Sequence, residues 1–327
     1  MYAMKKTILT LIFALILTVS YSQGEYNKEA FKIGIESIKE FREFLSIPND
    51  ANYKDEMEPL IKWGIKKFEY FDFNVERLKT EGLPLLLASK IVSKNAKTLL
   101  IYLQFDGQPV DNSKWNQEDP YKAVLKTLRN GKYEITDWKI LDKLTSKNIN
   151  EEDIRIFARS ASDAKGPVMM ILNAFKIMEQ NNLNLNYNLK IIMDFEEEKS
   201  SPNLADAVKK YAAKLKSDAL LIFDGPKHPS NLPTLTFGAR GISDITLITY
   251  GPIVPQHSGH FGNYAPNPVF RMSEILSSMK DKNGRVTIDG FYDGIILDEE
   301  TIKILNQVPD DEKGMKESME FKTPDNM

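Results

Sequence analysis

The chain contains no cysteine. No disulfide can brace an exported domain, no lipid can attach through a thiol, and no thiolate can act as nucleophile or metal ligand. Histidine is nearly absent: His228, His257 and His260 are the only three. An excess of one charge sign is also missing, since 43 Lys and Arg face 46 Asp and Glu for a net charge of −3. That balance argues against a nucleic-acid binder working through a broad basic face. The apolar run Thr7 to Val19 falls short of the roughly 20 residues a membrane span needs, and no other candidate span stands out. Short-period repeats and low-complexity tracts are absent as well.

What is present is an ordinary globular composition, 42% hydrophobic and 27% charged over 327 residues, enough for a large core and two domains. Lys5 and Lys6 precede the apolar run, and Ser20 and Ser22 stand at the −3 and −1 positions before Gln23. This pattern predicts a secretory signal peptide over residues 1–22 and a secreted or periplasmic mature protein without membrane contact. The alternative is an uncleaved anchor. Met4 is a second candidate start.

Phe31, Ile35, Ile38, Phe41 and Leu45 recur every three or four residues, predicting one amphipathic helix from Asn27 to Leu45. A second helix is expected through to Phe71, with Met57, Leu60, Ile61, Ile65 and Phe68 on one face and Pro59 in its first turn. Leu83 to Val92 has a strand-like pattern, and Thr98 to Asp106 a stronger one. Gln108 to Asp153 is a polar excursion with short strands expected near Tyr133 to Trp138. A buried helix is expected from Val168 to Glu179, with Phe175 and Met178 as core. Leu189 to Met193 is a strand. Ser201 and Pro202 fit an N-cap and first helical position for a helix running to Leu215. Ala219 to Asp224 is another strand.

This order of elements implies an α/β fold with a mixed, largely parallel sheet flanked by helices. After Gly241 the texture changes: a half-buried strand from Ile242 to Tyr250, a loop at His257 to Gly262, then a helix from Pro268 to Met279. The expected domains are therefore residues 23–241 and a smaller α+β domain over 242–327, with a loose tail from Asp311.

Acidic side chains punctuate the strand ends. Glu196, Glu197 and Glu198 follow one strand, and three adjacent carboxylates repel one another. Water, basic neighbours or a cation must offset that repulsion. Ligand sites in such sheets lie beyond the carboxyl ends of the strands, where Asp106, Glu196 to Glu198 and Asp224 all fall. Asp163 sits just before a helix. Taken singly, each has a plainer account: a solvated loop for the acidic run, a helix cap for Asp163, a turn for Asp224-Gly225-Pro226, a polar loop residue for His257.

Together these residues resemble the dinuclear zinc exopeptidase family of carnosinase-type dipeptidases, acetylornithine deacetylase and succinyl-diaminopimelate desuccinylase. The matching pieces occur in order from about Leu99 to Ile295. They are Tyr102 to Val110, Ser162 to Gly166, Glu196 to Leu204, Asp224-Gly225-Pro226 with Gly238 to Gly241, and His257 to Gly262. The resemblance implies a catalytic domain with a lid and dimerisation domain, two Zn2+ ions, and a small peptide or N-acyl amino acid as substrate. It implies that Asp163 bridges the two ions, that Glu198 and Asp224 each ligate one, and that Glu197 is the general base. Asp106 would orient the ligand two residues before it. His257, from the lid, would stabilise the transition state, in the partner subunit's site where members dimerise. Two metals roughly 3.5–4 Å apart polarise a carbonyl and supply hydroxide near neutral pH, and their charge permits such a density of carboxylates.

Two departures stand out. Gln104 occupies the position of the family's first zinc-ligating histidine, and an amide is a poor zinc ligand beside imidazole or carboxylate. In the family the chain leaves the lid and returns to supply a final histidine, whereas this chain stops inside the lid. The expectation is a C-terminally truncated relative in which one metal keeps Gln104, Asp163 and Asp224, the other keeps Asp163 and Glu198, and these 327 residues alone have little or no activity. Two functions stay open: an exported metal-dependent hydrolase of peptide or amide bonds, and a non-catalytic exported peptide-binding protein that keeps the fold.

Overall fold

The computed structural model describes residues 26–146, 153–224, 234–236, 238, 241–307 and 312–319. The expected signal peptide, Gly225-Pro226, His228 and Ala239-Arg240 lie outside the described residues. The chain divides into two compact units, Met1–Pro226 and Lys227–Met327.

The first unit opens with α1 (Asn27–Glu36) and α2 (Ile38–Leu45) where one continuous helix is predicted. The interruption falls at Ser37, whose hydroxyl donates to Asn173 Oδ1 at 2.7 Å and accepts from Lys176 Nζ at 2.9 Å. A third helix, α3 (Lys54–Tyr70), holds Pro59 in its interior rather than in its first turn. Proline there removes a single backbone donor near the helix start, and the buried stripe of Met57, Leu60, Ile61 and Phe68 offsets the loss.

The strands in chain order are β1 (Asn74–Leu78), β2 (Leu85–Lys90), β3 (Thr98–Gln104), β4 (Val124–Arg129), β5 (Lys132–Thr136), β6 (Ile154–Phe157), β7 (Asn188–Asp194) and β8 (Ala219–Ile222). The main sheet runs β1-β2-β7-β3-β8. β3 pairs parallel with both β7 and β8, and β1 and β2 add antiparallel strands at one side. The register sets Gln104 opposite Asp194 and Tyr102 opposite Ile222. Three strand ends therefore discharge their following loops at one edge of the sheet.

Between β3 and β7 the chain makes a second sheet, β5-β4-β6, and then α4 (Lys165–Gln180). The polar excursion from Gln108 thus carries more strand than its composition suggests. Beyond β7 the predicted single helix is two short ones, α5 (Leu204–Lys210) and α6 (Ala212–Leu215). The N-cap position falls on Asn203, not Ser201. Ser201 instead adopts a positive φ of 44° and donates its hydroxyl to Asp194 Oδ2 at 2.7 Å.

The core of this unit is aromatic. Phe44, Phe68, Phe105 and Phe195 are fully buried with Met57, Leu60, Ile61 and Leu86. The rings of Phe44 and Trp63 stack with centroids 3.6 Å apart, and Phe105 meets Phe195 at 5.2 Å. Burying side chains of this size contributes about 1.5–3 kcal/mol each.

In the second unit, α7 (Ser258–Phe261), α8 (Pro268–Met279), α9 (Glu299–Leu305) and α10 (Glu312–Ser318) are described. α8 matches its predicted bounds, with Asn267 Oδ1 accepting the Val269 N–H at 2.9 Å and Pro268 in the first turn. The strand expected from Ile242 to Tyr250 is not formed, and Ile242 is 90% exposed. A strand needs a neighbour to take its backbone hydrogen bonds, and among the described residues no strand pairs with this segment. α10 lies within the tail from Asp311, for which the sequence predicts a loose segment. Among the described residues no helix is long and apolar enough to cross a membrane.

Candidate functional site

β3 ends at Gln104, and its last turn outward carries Phe105 into the core and Asp106 beneath the loop after β7. Phe105 N–H donates to Asp194 O at 2.9 Å, so the two strands stay zipped to the edge. Asp106 is fully buried. Its carboxylate accepts the backbone N–H groups of Glu197 at 3.1 Å and Glu198 at 3.0 Å. Burial pushes its carboxyl up to about 7 although those two N–H groups oppose the shift, and nearby Asp194 adds to it. The resemblance implies that Asp106 orients residue 104. In the structure its bonds fix the backbone of the glutamate pair.

The three glutamates separate by role. Glu196 turns away, accepting the Leu83 N–H at 3.1 Å and the Asn203 side-chain amide at 2.8 Å. Glu197 and Glu198 open a single 3-10 turn, Glu197–Lys199, and are half-buried. Burial raises the Glu197 carboxyl to about 7, with Asp224, Glu198, Asp163 and Asp194 adding repulsion. Glu198 is raised by burial and by Asp163 and Asp224, while a 2.5 Å hydrogen bond from Gln108 Nε2 and the charge of Arg159 act in the opposite direction.

Asp163 lies in the loop before α4, and its peptide bond to Ala164 is cis. Gln104 Nε2 donates to Asp163 Oδ1 at 2.5 Å. Burial and the Asp224 charge raise the Asp163 carboxyl, and Gln104 and Arg159 counter them. Asp163, Glu197, Glu198 and Asp224 thus lie within electrostatic reach of one another beyond the ends of β3, β7 and β8. His257 belongs to the second unit. There it caps α7, its Nδ1 accepting the Gly259 N–H at 3.0 Å, with the His260 ring centroid 4.9 Å from its own.

The support for this edge comes from Asn49, Ser160 and Arg159, which lie outside the matching motif pieces, together with Gly107 and Lys165 inside them. Asn49 O accepts the Gly107 N–H at 2.8 Å. Asn49 Nδ2 donates to Phe105 O and to Ser160 Oγ, each at 2.9 Å. A Cβ on Gly107 would lie 2.1 Å from Ser160 Oγ, so only glycine permits this approach. Lys165, at the start of α4, is fully buried and donates to Phe44 O at 3.0 Å and Ile47 O at 2.5 Å. Burial alone draws its ammonium down to about 7. Arg159 donates from Nη2 to Pro109 O at 3.1 Å and lies over the Trp115 ring at 5.3 Å.

The donor chemistry tests the zinc expectation. The unit Met1–Pro226 contains neither histidine nor cysteine, so its acidic edge offers no imidazole and no thiolate. Its ligand candidates are the oxygens of Asp163, Glu198, Asp224 and Gln104. Among the described residues no group of three or more His, Cys, Asp or Glu is placed to hold a metal ion. This set does not fit the nitrogen-bearing zinc centre that the resemblance implies. Gln104 is 1% exposed, and its Oε1 is buried without a hydrogen-bond partner.

An α/β sheet with carboxylates gathered at the shared end of its parallel strands has its candidate ligand site where such sheets carry theirs. The chain belongs to the peptidase family M20/M25/M40, whose model matches residues 106–313. It is 26% identical over 265 residues to the cysteinylglycine-S-conjugate dipeptidase of Corynebacterium striatum, covering 79% of this chain and 52% of that protein. It is 28% identical over 225 residues to the human Beta-Ala-His dipeptidase, covering 67% of this chain and 39% of the relative. An M20 family metallo-carboxypeptidase from Sulfolobus solfataricus superimposes with a TM-score of 0.63 at 28% identity, over 88% of this chain and 60% of that one. Human carnosine dipeptidase 1 shares the fold, with a TM-score of 0.59 at 21% identity over 91% of this chain and 62% of its own. The chain spans about half the length of the curated relatives it matches.

Proposed function

We propose that the protein is a metal-dependent hydrolase of peptide or amide bonds acting on dipeptides or N-acyl amino acids. The observation that carries this reading is the mutual approach of Asp163, Glu197, Glu198 and Asp224 at one sheet edge, with Asp106 buried beneath the glutamate pair. The names of the relatives, which include dipeptidases for cysteinylglycine conjugates and for Beta-Ala-His, support the substrate class.

In this proposal Glu197 accepts a proton from the water that attacks the amide carbon and returns it to the departing nitrogen. Asp106 holds the Glu197 and Glu198 backbone so that both side chains face the reacting bond. Asp163, Glu198 and Asp224 would be the residues nearest to a bound cation, which would supply the polarisation of the amide carbonyl. His257 keeps the role that the resemblance implies, stabilising the transition state in the partner subunit's site of a homodimer formed through the second unit. The proposal extends to export, with the mature chain beginning at Gln23. N-terminal sequencing of the protein recovered from its native host is expected to read Gln23, and an intact Met1 or Met4 start would remove that part.

Turnover of Cys-Gly and β-Ala-His by the metal-loaded protein tests the reading. Glu197→Ala is expected to lower it by roughly 10²–10⁴-fold, the contribution typical of a general base. Unchanged turnover in that variant would overturn the mechanism. A second reading, a peptide binder without catalysis, is favoured by the two glutamine amides that already satisfy Asp163 and Glu198. Dipeptide binding without turnover at any metal concentration would select it.

A further inference from the structure

The turn that carries Glu197 and Glu198 is gripped at two heights. Asp106 holds its apex through the backbone N–H groups of both glutamates. Its neck closes on Asp194, the buried last residue of β7. Asp194 Oδ1 accepts the Glu196 N–H at 3.0 Å, where the chain enters the turn. Asp194 Oδ2 accepts the Ser201 hydroxyl at 2.7 Å, where the chain leaves it. The Tyr102 hydroxyl, from the neighbouring strand β3, donates to the same oxygen at 3.1 Å. Between the two ends the Ser201 N–H donates to Glu196 O at 2.9 Å, so the chain doubles back on itself.

Holding that shape is costly. Ser200 and Ser201 have φ of 65° and 44°, a left-handed conformation that residues other than glycine, asparagine and aspartate rarely take. Two in succession persist only where the surrounding bonds over-determine them. Asp194 supplies such bonds to both ends of the turn from one carboxylate. An acid is also a poor choice for packing at this place. Burial dominates the upward shifts of the Asp106 and Glu197 carboxyls, and the charge of Asp194 adds to both.

We propose that Asp194, through its donors Ser201 and Tyr102, is a positioning residue that sets where Glu197 points. That role rests on the reading of Glu197 as the general base. Displacing a reacting group by about 1 Å can cost 10²-fold in rate. With the neck released at Ser201, the apex is left hanging from Asp106 alone, and the Glu197 carboxylate loses its fixed direction.

The test pairs turnover of Cys-Gly by the metal-loaded full chain with amide hydrogen exchange over residues 196–201. Ser201→Ala and Tyr102→Phe each remove one donor to Asp194 and leave the charge of the edge unaltered. Both are expected to speed exchange across the turn by roughly threefold or more and to lower kcat by roughly tenfold, with KM within about twofold of the native value. Ser200→Ala, at an exposed neighbour of similar φ, is expected to leave kcat unchanged. An equal loss there would assign the effect to backbone conformation and overturn the proposal. Unaltered exchange in both donor variants would overturn it as well, because Asp194 would then not hold the turn. Faster exchange with unchanged kcat, while Glu197→Ala abolishes turnover, would overturn the positioning role and leave the hydrolase reading standing. Absence of turnover in the native chain would remove the hydrolase reading and the positioning role with it.

Discussion

The two units use their apolar residues in opposite ways. In Met1–Pro226 the large side chains are spent on a continuous interior in which Phe44, Phe68, Phe105 and Phe195 show essentially no surface. In Lys227–Met327 none of the described residues is buried, and Tyr250, Tyr264 and Phe270 are each more than two-thirds exposed. Both segments contain hydrophobic runs and helical periodicity. The difference is that the first supplies a sheet for its helices to cover, and amphipathic elements without an opposing layer cannot remove their faces from water. Apolar surface of that extent marks an interaction or aggregation surface.

The contrast can be broken by mutation. The largest effect is expected at Phe105, which packs against Phe44, Trp63 and Phe195. Phe105→Ala should cost about 3–5 kcal/mol in denaturant unfolding. A next tier is steric. Gly107→Ala drives a methyl into Ser160 and should cost about 1–3 kcal/mol, whereas Gly241→Ala, with nothing within 4 Å of its Cβ, should be near neutral. If the two glycines respond alike, the close approach at Gly107 is wrong.

A smaller, pH-dependent effect belongs to Glu40. Burial alone would raise its carboxyl, but hydrogen bonds from Lys176 and Lys67 and their charges outweigh burial and hold it below its ordinary value. A carboxyl lowered by folding stabilises the folded state above its unfolded pKa, and that stabilisation disappears as pH falls through the folded value. Thermal melts from pH 7 down to pH 3 should therefore lose less stability in Glu40→Gln than in the parent. The smallest effect is expected in the second unit. Phe270→Ser should shift unfolding by no more than about 0.5 kcal/mol yet lower the binding of a hydrophobic dye. A loss comparable to Phe105→Ala would show that this unit has a packed interior after all.

Much of the main sheet was legible because β3, β7 and β8 are apolar runs ending in carboxylates, and a parallel sheet brings such ends together. The same logic made Asp106, Glu197, Glu198 and Asp224 visible, whereas Asp163, just before a helix, drew its role from the family resemblance. What stayed hidden depends on partners far away in the chain. β4 and β6 alternate with lysine and arginine and become strands through pairing with each other. Ser201 looks like a helix cap, but Asp194 captures its hydroxyl first. Ile242 to Tyr250 has the alternation of a strand and lacks the neighbour that would make it one. Gln108 and Lys165 lie within matching motif pieces, but their contacts to Glu198 and to the carbonyls of Phe44 and Ile47, like that of Arg159 to Pro109, exist only once the chain has folded.

Asn49 has a mechanical consequence. Its main chain and side chain together grip the stretch that bears Asp106 and the stretch that leads to Asp163, which are separated by more than fifty positions in the chain. Those two acids are therefore yoked: a push on either loop is shared by the other, and the spacing between them behaves as a property of the short segment after α2. Tightening or loosening that knot offers a way to tune the acidic edge without altering any acid in it.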